Sequence, residues 1–414
     1  MNDVAVAIVG GGPSGLTAAA ALAPHVHGEV LVLERESQTG GIPRHSDHLG
    51  YGMRDLHRFI SGPAYARRLT ESAVAAGATL ETEAMVTGWS GERTMQVTSP
   101  RGVRSVTAGA IILATGARER PRPARLVPGD RPDGVFTTGQ LQNLVHLHHA
   151  KVGHRAVIVG AELVSWSALL TLREAGCATV AMVSGYPRAE AYAAFRAAGR
   201  LMLDGPVMTC SRLVGIHGKP RVRSVTVEEI ATGRRHEITC DTVVFTGDWI
   251  PDHELARTAG LLMDHATRGP VVDAALRTSR PGVFAVGNLL HPVDTADAAA
   301  LDGRHVAAGV MAWLDRGDGL PPSSAGAAIR VEAPFRWVTP QLLSTDGVVA
   351  SRGDLLLWTD EYRRLPKIRA VQDGRVLATK RTPWPAAPGR IYRAPWSLVA
   401  DADPKGGTVT LTLV

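Results

Sequence analysis

The chain has 414 residues, with 45 Lys and Arg against 39 Asp and Glu, and a formal net charge of +6. Hydrophobic residues make up 45% and charged residues 20%, which excludes disordered and collagen-like proteins and predicts two or three globular domains. No apolar run approaches the roughly 18 residues of a membrane helix, and the start shows no leader pattern, so we expect a cytoplasmic protein without an integral membrane segment. The cysteines at 177, 210 and 240 form no C-x-x-C pair, which argues against a redox dithiol or a chain-borne iron-sulfur cluster.

The chain opens with an apolar run, VAVAIV, followed by GGGPSG and a helix-forming stretch. This order predicts a strand, a tight turn and a helix of the kind that binds a dinucleotide pyrophosphate. We expect Gly10 to form the turn, Gly12 to admit the phosphates and Gly15 to allow close helix packing. Pro13 and Ser14 then lie at the helix N-terminus, which supplies N–H donors and a positive dipole.

The next apolar run, EVLVLE, ends at Glu34, about twenty residues after the turn. A carboxylate at this position accepts hydrogen bonds from the adenosine ribose, and Arg35 follows it at the same strand end. The alternative, a glycine turn with an unrelated surface glutamate, does not explain the spacing as well. We therefore assign Glu34 and Arg35 to the cofactor site.

The segment from Glu34 to Gly41 has the spacing E-x-x-x-x-x-G-G, which resembles the FAD site of flavoproteins with two dinucleotide-binding domains, the pyridine nucleotide-disulfide oxidoreductase-like superfamily. A second matching segment, AIILATGARERP, contains Ala114, Thr115 and Gly116, which in these proteins lie beside the FAD. The resemblance implies that the nucleotide is FAD and that Gly41 and the ATG segment contact it.

The segment from Thr278 to Val310 resembles the late motif of that superfamily, where a strand ends near the ribityl chain and a helix N-terminus faces the isoalloxazine. The resemblance assigns Gly287, Asn288 and Ala296 to FAD. Asn288 stands where the superfamily usually has aspartate, and it retains the ability to hydrogen-bond a ribityl hydroxyl. Four matching segments thus occur in the expected order over roughly 300 residues.

A second strand-turn-helix unit begins with RAVIVGAELVSWSALL, but its turn lacks the glycine fingerprint. Alignment of the turns places Gly160, Glu162 and Ser165 at the three glycine positions. Glu162 brings a side chain, and a negative charge when ionised, to the place where a pyrophosphate approaches, which disfavours NAD(P). Ser184 with Arg188 argues the other way, since such a pair tolerates a 2'-phosphate. A domain kept for its structure, or for another adenine nucleotide, is the preferred interpretation.

These segments predict an α/β fold with two Rossmann-like dinucleotide-binding domains, the NAD-like domain interrupting the FAD domain, and a small C-terminal β-rich domain. The expected FAD domain comprises residues 1–122 and 268–325. The degenerate NAD(P)-like domain spans residues 123–267, and the β-rich domain spans residues 326–414.

The densest polar cluster near the expected flavin ring is the loop GGIPRHSDHLGYG, from which we select Arg44, His45 and His48 as candidate catalytic residues. A histidine with a pKa near 6.5 can move the proton that accompanies hydride transfer, and Arg44 can stabilise a reduced, anionic flavin. The alternative, that Arg44 and His45 hold the loop shut, has equal weight. Asp294 or Asp297 is expected to cap the helix that faces the flavin.

No metal site is predicted. The run HLHHA, with His146, His148 and His149, lacks a carboxylate or thiolate at ligand spacing, so exposed turn histidines are the better interpretation.

The C-terminal residues contain a strongly basic segment, Arg363 to Arg393, with nine Lys or Arg and one acid. Its net charge of +8 leaves −2 for the rest of the chain. With interleaved tryptophans, this segment suits docking of an acidic partner, and a solvated β-surface has similar weight. Nucleic acid is not expected, because no DNA- or RNA-binding motif accompanies the charge.

Within the superfamily, GGIPRH, ATGARERPRP and TTGQLQ look most similar to the FAD-binding alpha subunits of heteromeric dehydrogenases: opine oxidase, hydrogen cyanide synthase and dye-linked proline or hydroxyproline dehydrogenases. That resemblance implies a second flavoprotein subunit that oxidises a small-molecule amine or amino acid and a small iron-sulfur subunit. This chain departs from several such subunits by lacking a cysteine-rich C-terminal segment. A stand-alone NAD(P)H-dependent FAD reductase for a ferredoxin-like acceptor and a scaffold with purely structural FAD remain as alternatives.

Overall fold

The structure is a computed structural model that describes residues 3–191, 202–291, 293–316 and 325–414. The chain forms a first sheet with covering helices, crosses into a second sheet, returns to complete the first and ends in a β-rich unit.

The first unit is built around β1, whose run of six buried or half-buried residues pairs in parallel with β2 on one side and β8 on the other. The parallel order is β5-β2-β1-β8, and β6 and β7 extend the N-terminal half of β8 in antiparallel fashion. Its elements are β1 (Val4–Val9), α1 (Pro13–Leu22), β2 (Val30–Leu33), β3 (Leu49–Tyr51), β4 (Ile60–Ser61), α2 (Gly62–Ala75), β5 (Thr79–Glu81), β6 (Met85–Trp89), β7 (Thr94–Ser99), β8 (Gly102–Leu113) and β9 (Ala117–Glu119).

The second unit repeats the Rossmann-like pattern with a parallel sheet in the order β10-β17-β11-β12-β13, flanked by an antiparallel sheet β14-β15-β16. Its elements are β10 (Val135–Thr137), α3 (Thr138–Gln142), β11 (Arg155–Val159), α4 (Leu163–Glu174), β12 (Ala178–Val183), β13 (Val207–Met208), β14 (Ser211–His217), β15 (Ser224–Glu229), β16 (Arg235–Thr239), β17 (Thr242–Phe245) and β18 (Trp249–Pro251).

The chain crosses between the two units at paired strands, because β18 runs antiparallel to β9. After α5 (Glu254–Thr258), β19 (Val283–Ala285) joins the first sheet in parallel with β8, and α6 (Ala296–Arg316) packs across α1. Small residues allow that close packing: a Cβ on Gly303 would lie 2.0 Å from the backbone oxygen of Ser14. The late motif is thereby held beside the first glycine turn.

The C-terminal unit consists of two small sheets, β20-β26-β23-β24 and β21-β22-β25, around a core that includes Phe335, Leu355, Ile368 and Tyr392. Alternation of buried and exposed residues in β23 is typical of strands with one face on a core. Its strands are β20 (Ile329–Val331), β21 (Phe335–Thr339), β22 (Asp354–Thr359), β23 (Lys367–Gln372), β24 (Arg375–Arg381), β25 (Tyr392–Pro395) and β26 (Val409–Leu413).

The predicted α/β class with two Rossmann-like units and a β-rich unit is confirmed, whereas the residue boundaries of the domains stay predictions. Within the described parts of the chain, no helix combines the length and the apolar character needed to cross a bilayer.

Candidate functional site

The first glycine turn connects β1 to α1 and opens into a large cavity. Gly10 has φ +107°, and a Cβ there would lie 2.5 Å from the backbone oxygen of Ala114, so this position requires glycine. Position 15 also requires glycine, because a Cβ there would lie 2.0 Å from the backbone oxygen of Gly10. Gly12 is different: its backbone is extended, and no atom lies within 4 Å of a Cβ there. The space over Gly12 is therefore left open for a ligand.

Glu34 lies at the end of β2 against this turn and is only 7% exposed. Its carboxylate accepts hydrogen bonds from the backbone N–H groups of Gly11, at 2.8 Å, and Glu36, at 2.9 Å. Two backbone donors fix the carboxylate toward the cavity, where a ribose would meet it. Arg35 is exposed and forms an ion pair with Asp252 at 3.2 Å, so it ties the strand end to the segment after β18.

The ATG segment and the late motif face the same cavity. Thr115 donates a hydrogen bond to the backbone oxygen of Asp252 at 2.7 Å, which holds the two crossing strands together. Gly287, with φ +68°, packs against Ser14. The side-chain amide of Asn288 is already bound to the backbone of Asp294. Its Nδ2 donates to the backbone oxygen at 3.1 Å, and its Oδ1 accepts from the backbone N–H at 2.9 Å. Only its remaining N–H and lone pair are left for a ribityl hydroxyl.

The cavity has a volume of about 1500 Å³ and runs from the glycine turn past the late motif to the second unit. The open cradle over Gly12, the fixed carboxylate of Glu34 and the adjacent N-terminus of α1 together fit an adenine dinucleotide. The sequence-predicted cofactor residues that line this cavity are Gly10, Gly12, Pro13, Ser14, Glu34, Arg35, Gly41, Ala114, Thr115, Gly116, Asn288 and Ala296. Gly15 and Gly287 lie behind them and support the packing.

Arg44 lies on a 3-10 turn, Ile42–His45, at the wall of the cavity. Its guanidinium donates to the backbone oxygen of Gln38 at 2.8 Å and lies 3.9 Å from the carboxylate of Glu36. These contacts place it on the side of Glu34 and favour the loop-holding role over contact with a reduced flavin ring.

His45 is 8% exposed, and its Nδ1 has no hydrogen-bond partner. Burial, together with the charge of Arg44 and the nearby His146, lowers the pKa of His45 to about 4. The expectation of a pKa near 6.5 is therefore wrong for His45: its imidazole stays neutral at pH 7. A neutral imidazole there still offers a hydrogen bond toward the cavity.

His48 joins the flavin-side loop to the second unit. Its Nε2 lies 2.6 Å from the hydroxyl of Ser167 on α4 and 3.1 Å from that of Ser46, while Nδ1 lies 2.8 Å from the backbone oxygen of Leu49. Gln142 donates to both serine hydroxyls, at 3.2 and 2.8 Å. The network fixes the angle between the loop and α4, so His48 positions the two units against each other.

Neither carboxylate near the start of α6 is the N-cap residue that the sequence predicts, because the helix begins at Ala296. Asp297 lies inside the first turn and accepts a hydrogen bond from the backbone N–H of Arg54 at 3.0 Å. Asp294 instead forms a buried ion pair with Arg393. Burial alone would raise the pKa of Asp294, but Arg393 and Arg352 more than offset it and hold that pKa below its ordinary value.

Arg393 and Arg352 come from the C-terminal unit and were not singled out as site residues from the sequence. Arg352 donates to the backbone oxygen of Ala298 at 2.6 Å and lies 3.5 Å from Asp302, so both arginines hold the start of α6. The basic segment from Arg363 to Arg393 was the sequence feature that drew attention to Arg393. Its contact with Asp294 could not be predicted, because the two residues are 99 positions apart and only the fold brings them together.

The second turn has the same backbone as the first but carries a side chain at the open position. The residue preceding the helix has φ −83° and ψ −174° at Gly12, and φ −82° and ψ −177° at Glu162. Glu162 is 8% exposed, and Glu190 lies beside it at 8%. The C-terminal unit covers both, since a Cβ on Gly389 would lie 2.5 Å from the Cβ of Glu190 and 3.4 Å from that of Glu162.

The features that argued for a 2'-phosphate site are engaged elsewhere. The hydroxyl of Ser184 donates to Glu190 at 2.8 Å, and the guanidinium of Arg188 stacks 5.1 Å from the ring of Tyr362. A carboxylate thus occupies the end of β12 where a phosphate-binding cation would be needed.

His148 and His149 are exposed as predicted, whereas His146 is half-buried and its Nε2 lies 3.3 Å from the hydroxyl of Thr171. In the described residues, no group of three or more His, Cys, Asp or Glu has the arrangement of a metal site. All three cysteines belong to the second unit and are unpaired, and burial raises the pKa of Cys177 to about 11 and that of Cys240 to about 12. None lines the flavin cavity.

Known proteins resemble the chain in sequence. A thioredoxin reductase of Treponema pallidum is 28% identical over 309 residues, covering 70% of this chain and 89% of that protein. An opine oxidase subunit of Rhizobium meliloti is 25% identical over 340 residues, covering 75% and 71%. The ferredoxin–NAD(+) reductase subunit of the Pseudomonas putida benzene 1,2-dioxygenase system is 28% identical over 295 residues, covering 69% and 66%.

Solved structures share the fold. Thioredoxin reductase of T. acidophilum superimposes with a TM-score of 0.64 at 21% identity, covering 75% of this chain and 99% of that one. L-proline dehydrogenase of P. horikoshii gives 0.59 at 18% identity, covering 75% and 56%. Residues 4–303 match the family described as pyridine nucleotide-disulphide oxidoreductase. The chain therefore belongs to that family and is an FAD-dependent oxidoreductase.

Proposed function

We propose that this protein is the FAD-binding subunit of a heteromeric dehydrogenase that oxidises an amine, an amino acid or a related small substrate and passes electrons to a partner. The observation that carries the proposal is the closed second turn: Glu162 and Glu190 lie where a nicotinamide dinucleotide would bind, and the turn at Gly389 covers them. The electrons then reach the flavin from a substrate or partner subunit.

Bound FAD supplies the two-electron chemistry, and the residues of the chain hold and shield it. Glu34 and the open turn at Gly12 would hold the nucleotide end. The family resemblance places the start of α6, which Arg393 and Arg352 fix, beside the flavin ring, where its backbone N–H groups would favour negative charge. His45 keeps a neutral imidazole in the cavity wall and adds no positive charge there.

Two further observations support an electron-transfer subunit. Reduction of a disulfide by thiol–disulfide exchange needs reactive thiols, and none of the three cysteines, two of them buried with raised pKa values, lines the cavity. The similarity to a protein named as a subunit of opine oxidase in Rhizobium meliloti agrees with a chain that works in a multi-subunit enzyme, and we propose a second flavoprotein and a small iron-sulfur protein as its partners. Unpaired thiols are typical of reducing compartments, so we propose a cytoplasmic location.

The second candidate is a stand-alone NAD(P)H-dependent FAD reductase for a ferredoxin-like acceptor, favoured by the similarity to the benzene dioxygenase reductase subunit. In that case, the basic C-terminal segment of this chain would dock the ferredoxin-like acceptor. This candidate requires that the turn at Gly389 move away from Glu162 before a nicotinamide cofactor binds.

The test is to tag the chain in its native host, purify it without oxygen and identify what elutes with it. We expect a second flavoprotein in constant ratio, and flavin reduction by members of an amine and amino-acid panel in the complex but not in the chain alone. A chain that purifies alone and is reduced by NADH or NADPH would contradict the proposal and favour the reductase.

A further inference from the structure

The C-terminal unit presents one face of the sheet β20-β26-β23-β24 to solvent. The other face is buried, because alternate residues of its strands, among them Ile368 and Leu411, belong to the core of the unit. Residues directly opposite each other on neighbouring strands share a face, so the strand pairing identifies the outward one. Its side chains are Arg330, Lys367, Arg369, Val371, Val376, Thr379, Arg381, Thr410 and Thr412.

Four exposed basic side chains on this outward face form what we call the basic sheet face: Arg330, Lys367, Arg369 and Arg381. Lys367 and Arg381 lie directly opposite each other, and like charges in that position destabilise a sheet. The exposed acid Glu332 follows β20 at the margin of the face. Among the described residues, the ion pairs of this unit use neither Glu332 nor the four cations; their arginines are Arg336, Arg352, Arg363 and Arg393.

Another sheet of the same chain compensates its basic side chains. In the antiparallel sheet β14-β15-β16, Glu228 lies directly opposite both Arg212 and Arg235 and forms an ion pair with each, at 2.6 and 3.0 Å. The cross-strand neighbours of Arg369, by contrast, are both threonines. The basic sheet face therefore holds positive charge that the strands around it do not neutralise.

Protection of a sheet edge does not account for all of this charge. Charged residues on edge strands discourage association between sheets, and Arg330 and Arg381 lie on the outer strands β20 and β24. Lys367 and Arg369 lie on β23, which has a strand on each side. Charge of a single sign on an open face steers and orients a partner of the opposite sign.

The side chains between the cations fit a protein better than a nucleic acid or a membrane. Threonine hydroxyls lie among them, with apolar groups at Val376, 52% exposed, and Val414, 49% exposed. The backbone N–H of Val414 donates to the oxygen of Lys367 at 2.8 Å, so this valine adjoins the face. The strand pairing of the described residues assigns to the face no aromatic ring for stacking of bases and no large apolar residue of the kind that anchors a protein at a bilayer.

We propose that the basic sheet face is the surface on which an acidic face of a partner subunit docks. The inference rests on the proposed heteromeric function and adds to it the contact surface and the charge of the partner. Carboxylates of the partner would relieve the repulsion between Lys367 and Arg381 and pair with Arg330 and Arg369. The association should weaken as the salt concentration rises, because exposed charges are screened.

The experiment uses the complex that co-purifies with the tagged chain from its native host. A carbodiimide, which joins a lysine amine directly to a carboxylate, is added, and the joined peptides are identified by mass spectrometry. Lys151 and Lys219, which are exposed in the second unit, are internal controls. We expect Lys367 to be joined to Asp or Glu of the partner, and no such product at either control lysine.

Removal of charge gives a second measurement on the same complex. Lys367→Gln with Arg369→Gln should weaken the partner at least about ten-fold, measured as the Kd for the partner after salt has released it from the complex. Arg212→Gln with Arg234→Gln removes the same charge from the second unit and should bind the partner like the original chain. All four side chains are exposed, so both double variants should fold and keep full FAD, which visible absorbance checks.

The outcomes separate this proposal from the heteromeric function. A partner that gives no product at Lys367, or that binds Lys367→Gln with Arg369→Gln unchanged, would overturn the docking surface and leave the heteromeric function intact. A chain that purifies without a partner would overturn both. Binding of a short single-stranded DNA or of phosphatidylglycerol vesicles at about 0.15 M salt, lost in the same double variant, would also overturn the docking surface, because the face would then recognise phosphate.

Discussion

The two glycine turns of this molecule share a backbone and differ in what they leave open. Gly10 and Gly160 both have positive φ, and the residues preceding the two helices agree within a few degrees. At Gly12 the missing side chain leaves free space, whereas at Glu162 a side chain fills it and a neighbouring glutamate and the C-terminal unit close it. Backbone conformation alone therefore does not make a dinucleotide site; the empty volume at one Cβ position does.

The largest effect is expected when the side chains of the two turns are exchanged. Gly12→Glu should abolish FAD incorporation, with at least a hundred-fold loss of affinity, because the carboxylate enters the phosphate space. The extended backbone at Gly12 accepts any residue and no protein atom obstructs the side chain, so the variant should fold. The ratio of flavin to protein absorbance measures the result.

The matched variant Glu162→Gly should keep its full complement of FAD, because the second turn takes no part in flavin binding. Equal loss of flavin in the two variants would contradict the division of roles between the turns.

The C-terminal unit, which covers the second turn, is anchored to the start of α6 by Arg393, and this anchor can be tested. Arg393→Ala leaves the buried carboxylate of Asp294 without its main partner, and we expect a loss of about 3 kcal/mol in the free energy of unfolding. Arg363→Ala, which removes an exposed pair with Glu361, should cost less than about 0.5 kcal/mol. Denaturant unfolding of both variants measures the difference, and similar losses would show that the Asp294 pair does not hold the C-terminal unit.

The same pair predicts a pH dependence. The pKa of Asp294 in the folded protein lies below the ordinary 3.8, so its contribution to stability is fully present above that value and is lost as the pH falls through the folded value. Arg393→Ala should flatten this acid limb of the stability curve. If the loss of stability at acid pH is the same in this variant, other carboxyl groups cause the acid unfolding.

The buried pair Glu162 and Glu190 should give the opposite dependence of stability on pH. Because the pKa of Glu190 is raised from 4.5 to about 7, folding holds a proton that the unfolded chain releases, and stability falls as the pH rises from 4.5 to 7. Glu190→Gln should remove this slope and raise the free energy of unfolding at pH 8 by on the order of 2 kcal/mol. A lower Tm for this variant at pH 8 would mean that the charge is already compensated.

The smallest expected effect concerns the flavin-side loop. His45→Ala should retain FAD but slow flavin reduction or reoxidation by about three- to ten-fold, since it removes one neutral hydrogen-bonding group. Because the pKa of His45 is about 4, the rate in the original chain should show no inflection from this residue between pH 5 and 8. Stopped-flow absorbance checks both statements, and unchanged rates would leave His45 with a structural role.

The flavin side was predictable from the sequence because its determinants are local. Gly10, Gly12 and Gly15 lie within six residues, and Glu34 follows at the end of the next strand, so spacing alone places them together. The fold class followed from the repeat of the same pattern around residue 160.

The second turn at Glu162 and the residues that cover it were only partly predictable from the sequence. The sequence showed Glu162 in the wrong place for a phosphate. Glu190 meets Glu162 from beyond the next strand of the same unit, and Gly389 and Arg393 reach Glu190 and the start of α6 from the C-terminal unit; no spacing rule reports such contacts. The lowered pKa of His45 also depends on burial, which the loop sequence does not reveal.

Whether a nicotinamide dinucleotide can reduce the flavin of this chain is tested directly under anaerobic conditions. The full chain is loaded with FAD, its flavin band is recorded, and NADH or NADPH is added before dithionite as a positive control. The closed second turn predicts no bleaching by either nicotinamide cofactor and full bleaching by dithionite. Rapid bleaching at micromolar NADH or NADPH would contradict it, since it would mean that a nicotinamide dinucleotide reaches the flavin despite Glu162, Glu190 and the turn at Gly389.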